Sequence, residues 1–479
     1  MLAEIELPVT VVNGTATGQP DDARTAGAIA EVQKNARAGV NGIALQYRAK
    51  TSAAYDGFSI TIRRATLDRF IDAKVKYAIL DTGIVDLTFD LAALQEIQKQ
   101  TTGDITLTAA REPGLTGDAL AAVGTRPAYR LAVGYTGQDG TAAAIQNFGA
   151  GRVTVGLAYK PADNEQTGSL FLVYSKDGKE AQWLYQSSYD LGSGNVIGST
   201  GHFSVYGVGY KPAPAFADTV NHWAKADIDF VTSRGLLAGT GVTTFTPDGT
   251  MTRGMFVVAL GRLAGIDPAA YPSSRFSDVA ATDYYAPYVE WAASKGIVTG
   301  TSETTFAPDA TITREQMAVI MQRYANQMGY TLPVAREAEL FTDSNKISSG
   351  MKEAVQAMQQ AGVMNGKGSR LFAPKDTATR TEAAAVLRRF VEIVIDRDTA
   401  GGWAQNDIGS WLYYENNKPV IGWKQIEGIW YYFDAAGLMQ SGDWRQIGSK
   451  WYYFYADGSM ATNTEIDGYR VGPDGTRNS

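Results

Sequence analysis

The sequence predicts a multidomain α+β chain: a β-rich N-terminal region, a helical repeat region and a C-terminal β-hairpin solenoid. Three observations predict it. Apolar and polar residues alternate with period two in many runs of residues 1–210. A nineteen-position pattern recurs three times in register between residues 215 and 396. Beyond residue 400 the chain is dense in aromatics and holds six of its nine tryptophans. At 479 residues the chain is too long for a single core.

Composition narrows the function. A net charge of −7 argues against a nucleic-acid partner, which needs a basic face. An anionic partner would have to be captured by local cations, not by the overall field. The absence of cysteine excludes disulfides and thiolate metal sites. With only His202 and His222, neither a histidine zinc site nor a catalytic triad is expected, and no cofactor is implied. No apolar run reaches the ~18 residues of a membrane span. Residues 1–6 lack the basic and apolar segments of a signal peptide. The expectation is therefore the C-terminal part of a longer precursor, or an expressed piece of one.

In residues 1–210 the alternating runs 58–62, 86–89, 105–108, 153–157 and 202–206 read as strands. Short helices are expected at 22–37, 67–73 and 91–98. Residues 176–179 form a hairpin turn between two apolar runs. No Ser/His/Asp set, carboxylate-pair motif or phosphate loop stands out. Asp81 and Asp86 read as solvated surface acids, and His202 as a packed aromatic. Residues 211–214, Lys-Pro-Ala-Pro, form a stiff linker.

The middle zone divides into units 215–274, 275–339 and 340–396. Each opens with Phe-x-Asp: Phe216/Asp218, Phe276/Asp278 and Phe341/Asp343. A first helix ends at a C′ glycine, Gly235, Gly296 or Gly362. Then follow Gly239, Gly300 and Gly366, a Phe-x-Pro loop, and a second helix starting at Thr-Arg. Thr313 with Gln316 and Thr379 with Glu382 fit the capping box; Thr252 with Met255 does not. Arg253, Arg314 and Arg380 occupy the first helical position, where the macrodipole disfavours a cation by ~0.3–1 kcal/mol. Two anions could offset this. One is a carboxylate of the same chain, such as that of Phe-x-Asp. The other is an external carboxylate or phosphate ligand at the helix start.

The order Phe-x-Asp, aromatic, Gly-Ile-Val-x-Gly, Phe-x-Pro-Asp, Ile-Thr-Arg-Glu resembles the S-layer-homology family over about 180 residues, most closely in residues 276–321. The resemblance implies a pseudo-threefold α-helical bundle. Its grooves would bind a secondary cell-wall polymer carrying pyruvylated sugar. It implies Arg253, Arg314 and Arg380 as main polymer contacts and so favours the external ligand. Gly239, Gly300 and Gly366 would admit the ligand closely, Trp223 and Tyr284 would offer sugar-stacking faces, and Asp218, Asp278 and Asp343 would brace the loops. Arg314→Ala should then weaken polymer binding and leave helicity intact. Two departures reduce the number of working grooves: Gly350 takes the Trp223 position in unit three, and Gly254-Met255 follows the unit-one arginine. Residues 201–210, with 153–161 and 170–177, resemble a β module found before such repeats, which implies a spacer or adhesion stalk.

In the tail, residues 401–479, Trp403, Trp423 and Trp444 recur at roughly twenty residues, as do Trp411, Trp430 and Trp451. Each unit reads as a hairpin that must stack on its neighbours to bury its aromatic face. Three roles suit these rings: solenoid core, a cage for quaternary ammonium, or a sugar platform. The tail resembles the choline-binding and glucan-binding wall repeats through Gly422-Trp423, Trp430-Tyr431-Tyr432 and the Gly437/Met439 turn. That resemblance implies a choline or glucan site from Trp403, Trp411, Trp423, Trp430, Trp444, Trp451, Tyr432 and Tyr453, with Trp423, Trp430 and Tyr453 as one set. Choline-bearing teichoic acid or a glucan would be the partner. Together the two resemblances imply a non-catalytic, extracellular anchoring protein of the cell wall or S-layer surface. The alternatives are the anchoring part of a glycan-active surface enzyme, or an S-layer lattice subunit.

Overall fold

The structure is a computed structural model that describes residues 2–35, 43–137, 140–395, 402–415 and 418–478. The chain forms two compact units, Met1–Ala213 and Pro214–Ser479. The whole is a mixed α/β multidomain protein with a β-rich N-terminal unit and C-terminal β-hairpins. Among the described residues no helix is long and apolar enough to cross a membrane.

The N-terminal unit is one continuous ladder of strands joined at Leu2–Val12. Residues 2–8 of that strand run parallel to Ile43–Lys50, and residues 9–12 pair antiparallel with Thr15–Gly18. Alternation places Phe58, Ile60 and Ile62 in the core and leaves Ser59 and Thr61 partly exposed. Helices Asp22–Asn35, Arg64–Asp72 and Leu91–Gln100 lie where periodicity placed them; residues 36 and 37 of the first expected helix lie outside the described residues. A fourth helix, Gly117–Val123, is too short to show a period. The expected strand at 202–206 begins later, at Val205–Tyr210. Residues 202–204 bend instead, and the Tyr206 hydroxyl donates to the His202 carbonyl (2.8 Å). The His202 ring packs on Tyr174, with centroids 4.9 Å apart.

Asp86 corrects the reading of a solvated acid. It lies half-buried and accepts from Asn195 Nδ2 (2.7 Å) and Thr82 N (3.0 Å). Burial, and then the charge of Asp81, push its carboxyl up to about 6.

In the second unit each repeat supplies two helices. The first helices are Lys225–Ser233, Ala286–Ser294 and Lys352–Gln360. They end at Gly235, Gly296 and Gly362, whose φ values of 66°, 69° and 81° are left-handed. The second helices are Arg253–Leu263, Arg314–Gln327 and Arg380–Ile395. The second helix of repeat one packs on the first helix of repeat two, that of two on three, and that of three on one. Backbone bonds follow the same order: Gly254 N to Pro308 O, Glu315 N to Pro374 O, and Thr381 N to Pro247 O (2.8, 3.1 and 3.0 Å). Inside each repeat the Phe-x-Asp ring meets the Phe-x-Pro ring at 5.3–5.7 Å, and all six rings are buried.

The tail forms antiparallel hairpins. Gly402–Gln405 pairs with Trp411–Glu415, Gly422–Ile426 with Ile429–Phe433, and Asp443–Ile447 with Lys450–Phe454. A further one, Thr464–Ile466 with Tyr469–Val471, extends the pattern past the tryptophan repeats. Phe433 and Phe454 are fully buried. Met439 Sδ lies against the turn glycine Gly458 of the next hairpin, and Met460 Sδ against Gly475; a Cβ on either glycine would come within 2.4 Å of sulfur.

Candidate functional site

The Thr-Arg pairs open the second helices with the caps their sequences require. Thr313 Oγ1 accepts from Gln316 N (3.3 Å), and Gln316 Oε1 accepts from Thr313 N (3.1 Å). Thr379 and Glu382 make the same reciprocal pair, both at 3.1 Å. Thr252 accepts from Met255 N (3.2 Å), but methionine offers no oxygen in return.

Capping aims each arginine away from its own helix and into the next repeat. Arg253 Nε donates to Phe306 O (3.0 Å) and Nη2 to Thr299 O (3.1 Å). Arg380 Nε donates to Phe245 O (2.9 Å) and Nη2 to Ala238 O (2.5 Å). Arg314 Nε donates to Phe372 O (2.8 Å), but its Nη2 donates to the carboxylate of Asp407 in the tail (2.6 Å). Each guanidinium also lies 4.3–5.0 Å from the ring of the same phenylalanine.

The Phe-x-Asp carboxylates are engaged elsewhere. Asp218 accepts from Phe245 N and Thr246 N, Asp278 from Phe306 N and Ala307 N, and Asp343 from Phe372 N and Ala373 N, all at 2.7–3.1 Å. Thr246, Ala307 and Ala373 have φ of 55–56°, which costs a residue with a Cβ of the order of 1 kcal/mol. The carboxylate clamp holds that strained link of each loop. Arg253 and Arg380 thus meet carbonyls rather than carboxylates, and among the described residues neither makes an ion pair. Burial lowers both of their pKa values, against the more distant pull of Asp278 and Asp218 respectively.

Gly239, Gly300 and Gly366 are required by the chain's own packing. A Cβ on Gly300 would stand 2.2 Å from Ser302 O, and one on Gly239 2.5 Å from the Phe216 ring. One on Gly366 would stand 2.8 Å from Leu371 O.

The carboxylate at Arg314 comes from the tail. Asp407 is 2% exposed. Its carboxylate accepts from Arg314 Nη2, from Arg389 Nη1 (2.5 Å) and from Asn365 N (3.2 Å). Its own N–H donates to Gly366 O (2.8 Å). Burial pushes the carboxyl up, but Arg314 and Arg389 outweigh it, and the group ends below the usual carboxylate range. Two residues on, Gly409 lies on the face of Trp223, where a Cβ would approach the indole to 2.7 Å. Tyr284, at the equivalent position of repeat two, is 58% exposed and lies within electrostatic reach of Arg380. The first hairpin is further fixed by Arg336, whose guanidinium lies 3.9 Å from the Tyr414 ring centroid and donates to Asn365 Oδ1 (2.6 Å). Sequence reasoning missed Asp407, Arg389, Asn365 and Arg336.

In the tail, rings from successive hairpins meet. Trp403 gathers Trp411 (6.0 Å) and Tyr431 of the next hairpin (5.0 Å). Trp423 gathers Trp430 (6.4 Å) and Tyr452 (4.7 Å). Tyr452, not Tyr453, completes the Trp423 set, because adjacent strand residues face opposite sides. Tyr453 packs on Trp444 (5.4 Å), and Tyr432 on Trp423 (5.1 Å). Trp403, Trp411, Trp430 and Trp451 are 36–42% exposed, so they are not simply core. The third set holds a cation: Arg477 Cζ lies 5.7, 5.5 and 4.3 Å from Trp444, Trp451 and Tyr469.

Interlocked helical repeats followed by aromatic hairpins define a modular chain built of two kinds of repeat domain. The helical repeats match the S-layer homology domain over residues 215–254, 275–318 and 340–384, and residues 420–464 match the choline-binding repeat. The protein therefore contains three S-layer homology domains and a choline-binding repeat, both of which are cell-wall-polymer-binding modules.

Relatives include an amylopullulanase of Thermoanaerobacterium thermosulfurigenes, 33% identical over 46% of this chain and 12% of that protein. An exoglucanase of Acetivibrio thermocellus is 35% identical over 38% and 17%. The S-layer protein EA1 of Bacillus anthracis is 32% identical over 29% and 15%. The chain thus spans less than a fifth of each of these relatives. Among solved structures, a choline-binding domain from Streptococcus pneumoniae is 41% identical over 16% of this chain and 95% of that one, with a TM-score of 0.16. Choline-binding protein F of the same organism is 37% identical over 16% and 26%, also at 0.16.

Proposed function

We propose that this chain anchors a protein at the bacterial cell surface without catalysing a reaction, through two wall contacts. Units 215–274, 275–339 and 340–396 form a pseudo-threefold helical bundle that takes an anionic, pyruvylated secondary wall polymer in grooves headed by Arg253 and Arg380. The cyclic packing order of the six helices supports the bundle. The observation that carries the polymer reading is the pair Arg253 and Arg380, buried cations at helix starts with carbonyls but, among the described residues, no carboxylate in contact. Residues 401–479 stack as a β-hairpin solenoid and add a second site. Choline is favoured over glucan there, because a guanidinium already lies within 6 Å of three rings of one aromatic set. Two weak contacts on one chain gain avidity through effective concentration.

The test is sedimentation of the full chain with purified cell walls, before and after chemical removal of the secondary polymer. Binding lost with the polymer supports the reading. Binding that persists, and that free choline does not release, overturns it.

A second reading has support from the relatives. The amylopullulanase and the exoglucanase share this portion as a small part of their length, as expected if the chain tethers a glycan-active enzyme. Glycan turnover by a longer chain containing it would favour that reading.

A further inference from the structure

The three repeats present equivalent arginines, yet among the described residues only Arg314 meets a carboxylate. In the grooves of Arg253 and Arg380, Nη2 bonds the carbonyl three residues past the C′ glycine, Thr299 and Ala238. In the Arg314 groove the corresponding residue is Asn365. There Asp407 enters: Arg314 donates to its carboxylate, and the Asn365 N–H donates to it as well. The same turn covers Trp223, which is the broadest aromatic face among the three equivalent positions Trp223, Tyr284 and Gly350. One tail segment thus sets an acid on the arginine and a flat glycine backbone on the indole. These are the two contacts that an acidic sugar would make.

We propose that the Asp407–Gly409 turn is a built-in occupant of the Arg314 groove. It closes that groove to wall polymer, so that acidic ligand is taken by the Arg380 groove, with exposed Tyr284, and by the Arg253 groove. The proposal rests on the polymer-binding reading above.

Burial agrees with closure. Arg314 has no exposure, whereas Arg253 and Arg380 retain 7% and 5%. Among the described residues Arg314 Nη1 is buried without a hydrogen-bond partner and lies 3.7 Å from Glu382, so the guanidinium is shut off from solvent. Four further contacts hold the turn down: Asp407 N–H to Gly366 O, Asn365 Nδ2 to Gln405 O, Arg389 Nη2 to Asn406 O, and the stack of Arg336 on Tyr414. The turn is therefore seated, not grazing.

The experiment counts ligands on the full chain by titration calorimetry with a pyruvylated monosaccharide. Four forms are compared: the native chain, the double variant R253A/R380A, and that double variant with either Asp407→Asn or Gly409→Ala added. Gly409→Ala lifts the turn off Trp223 sterically and removes no charge, so it stands in if Asp407→Asn fails to fold. A second readout is mass mapping of arginine modification by a glyoxal reagent.

The expected result is no binding by the double variant. One equivalent per chain should return when the turn is weakened, together with Arg314 modification that the native chain resists. Binding by the double variant with Asp407 and Gly409 intact would overturn the proposal. So would an unchanged ligand count after the turn is released. If no form binds the sugar while Arg314 modification still depends on the turn, the polymer reading fails and the turn is only a structural clamp.

Discussion

Arg253, Arg314 and Arg380 are interchangeable in sequence and differ in what neutralises them. Arg314→Ala would leave Asp407 buried with one cation fewer. It should destabilise the second unit by about 3 kcal/mol in a urea titration, as breaking a buried pair does. Arg253→Ala removes two bonds to carbonyls and the contact with the Phe306 ring, leaves no carboxylate unpaired, and should cost about 1–2 kcal/mol. Loss of polymer binding should run the other way, larger for Arg380→Ala than for Arg314→Ala. The expectation that Arg314→Ala would spare the fold is thus replaced. The arginines themselves were legible because Thr-Arg recurs at fixed spacing. Their anion was not, because Asp407 lies 93 residues from Arg314 and outside the repeat. The loop aspartates were legible as braces, but the left-handed residue that they restrain was not, since Thr246, Ala307 and Ala373 carry no mark of it in sequence.

At the scale of elements, caps and turns carried most of the readable signal. Thr313→Ala should cost about 1 kcal/mol by removing the hydroxyl that accepts from Gln316 N, and Thr252→Ala about as much, since the Gln316 arm accepts from the Thr313 backbone N–H and survives the change. Paired urea titrations would check that the two losses match. The first hairpin did announce its difference. Trp403 and Trp411 are eight residues apart, whereas Trp423–Trp430 and Trp444–Trp451 are seven apart. Asn406-Asp407 also stands where the other two turns begin with Ile426 and Ile447. An extra polar residue in an otherwise constant turn is the trace of the docking that the structure reveals. At the other end of the tail, Arg477→Gln should free the third aromatic set. Choline counted by equilibrium dialysis should then rise by about one equivalent per chain, and an unchanged count would assign Trp444 and Trp451 to packing.

For the whole molecule, the two compact units invite separate stability measurements. In the N-terminal unit Asp86 titrates near 6 when folded and near 3.8 when free. Its contribution is full below pH ~4 and is lost as pH rises to about 6, a loss of about 3 kcal/mol. Asp86→Asn should remove that loss, so its stability advantage over the native chain should grow between pH ~4 and ~7 in matched urea titrations. In the second unit a chain ended at residue 396 should unfold at lower urea than one ended at 419. The longer piece keeps Tyr414 over Arg336 and Asp407 between Arg314 and Arg389. The strand-rich character of residues 1–210 was readable from alternation. The ladder order was not, because Leu2–Val12 joins parallel and antiparallel partners and nothing local specifies that.

The order in which the helical repeats grip one another, one on two, two on three, three on one, leaves no terminal repeat. A circle of this kind has a fixed membership. Deleting a repeat orphans an arginine on one side and a loop on the other, and a fourth would have no gap to enter. The hairpins after residue 419 meet the next in sequence, Trp423 against Tyr452 and Met439 against Gly458, and repeats joined to their sequence neighbours can be added or lost with little disturbance to the rest. Gene duplication therefore meets two different materials in one polypeptide. The helical part can change only residue by residue, while the tail can change its length by changing its copy number.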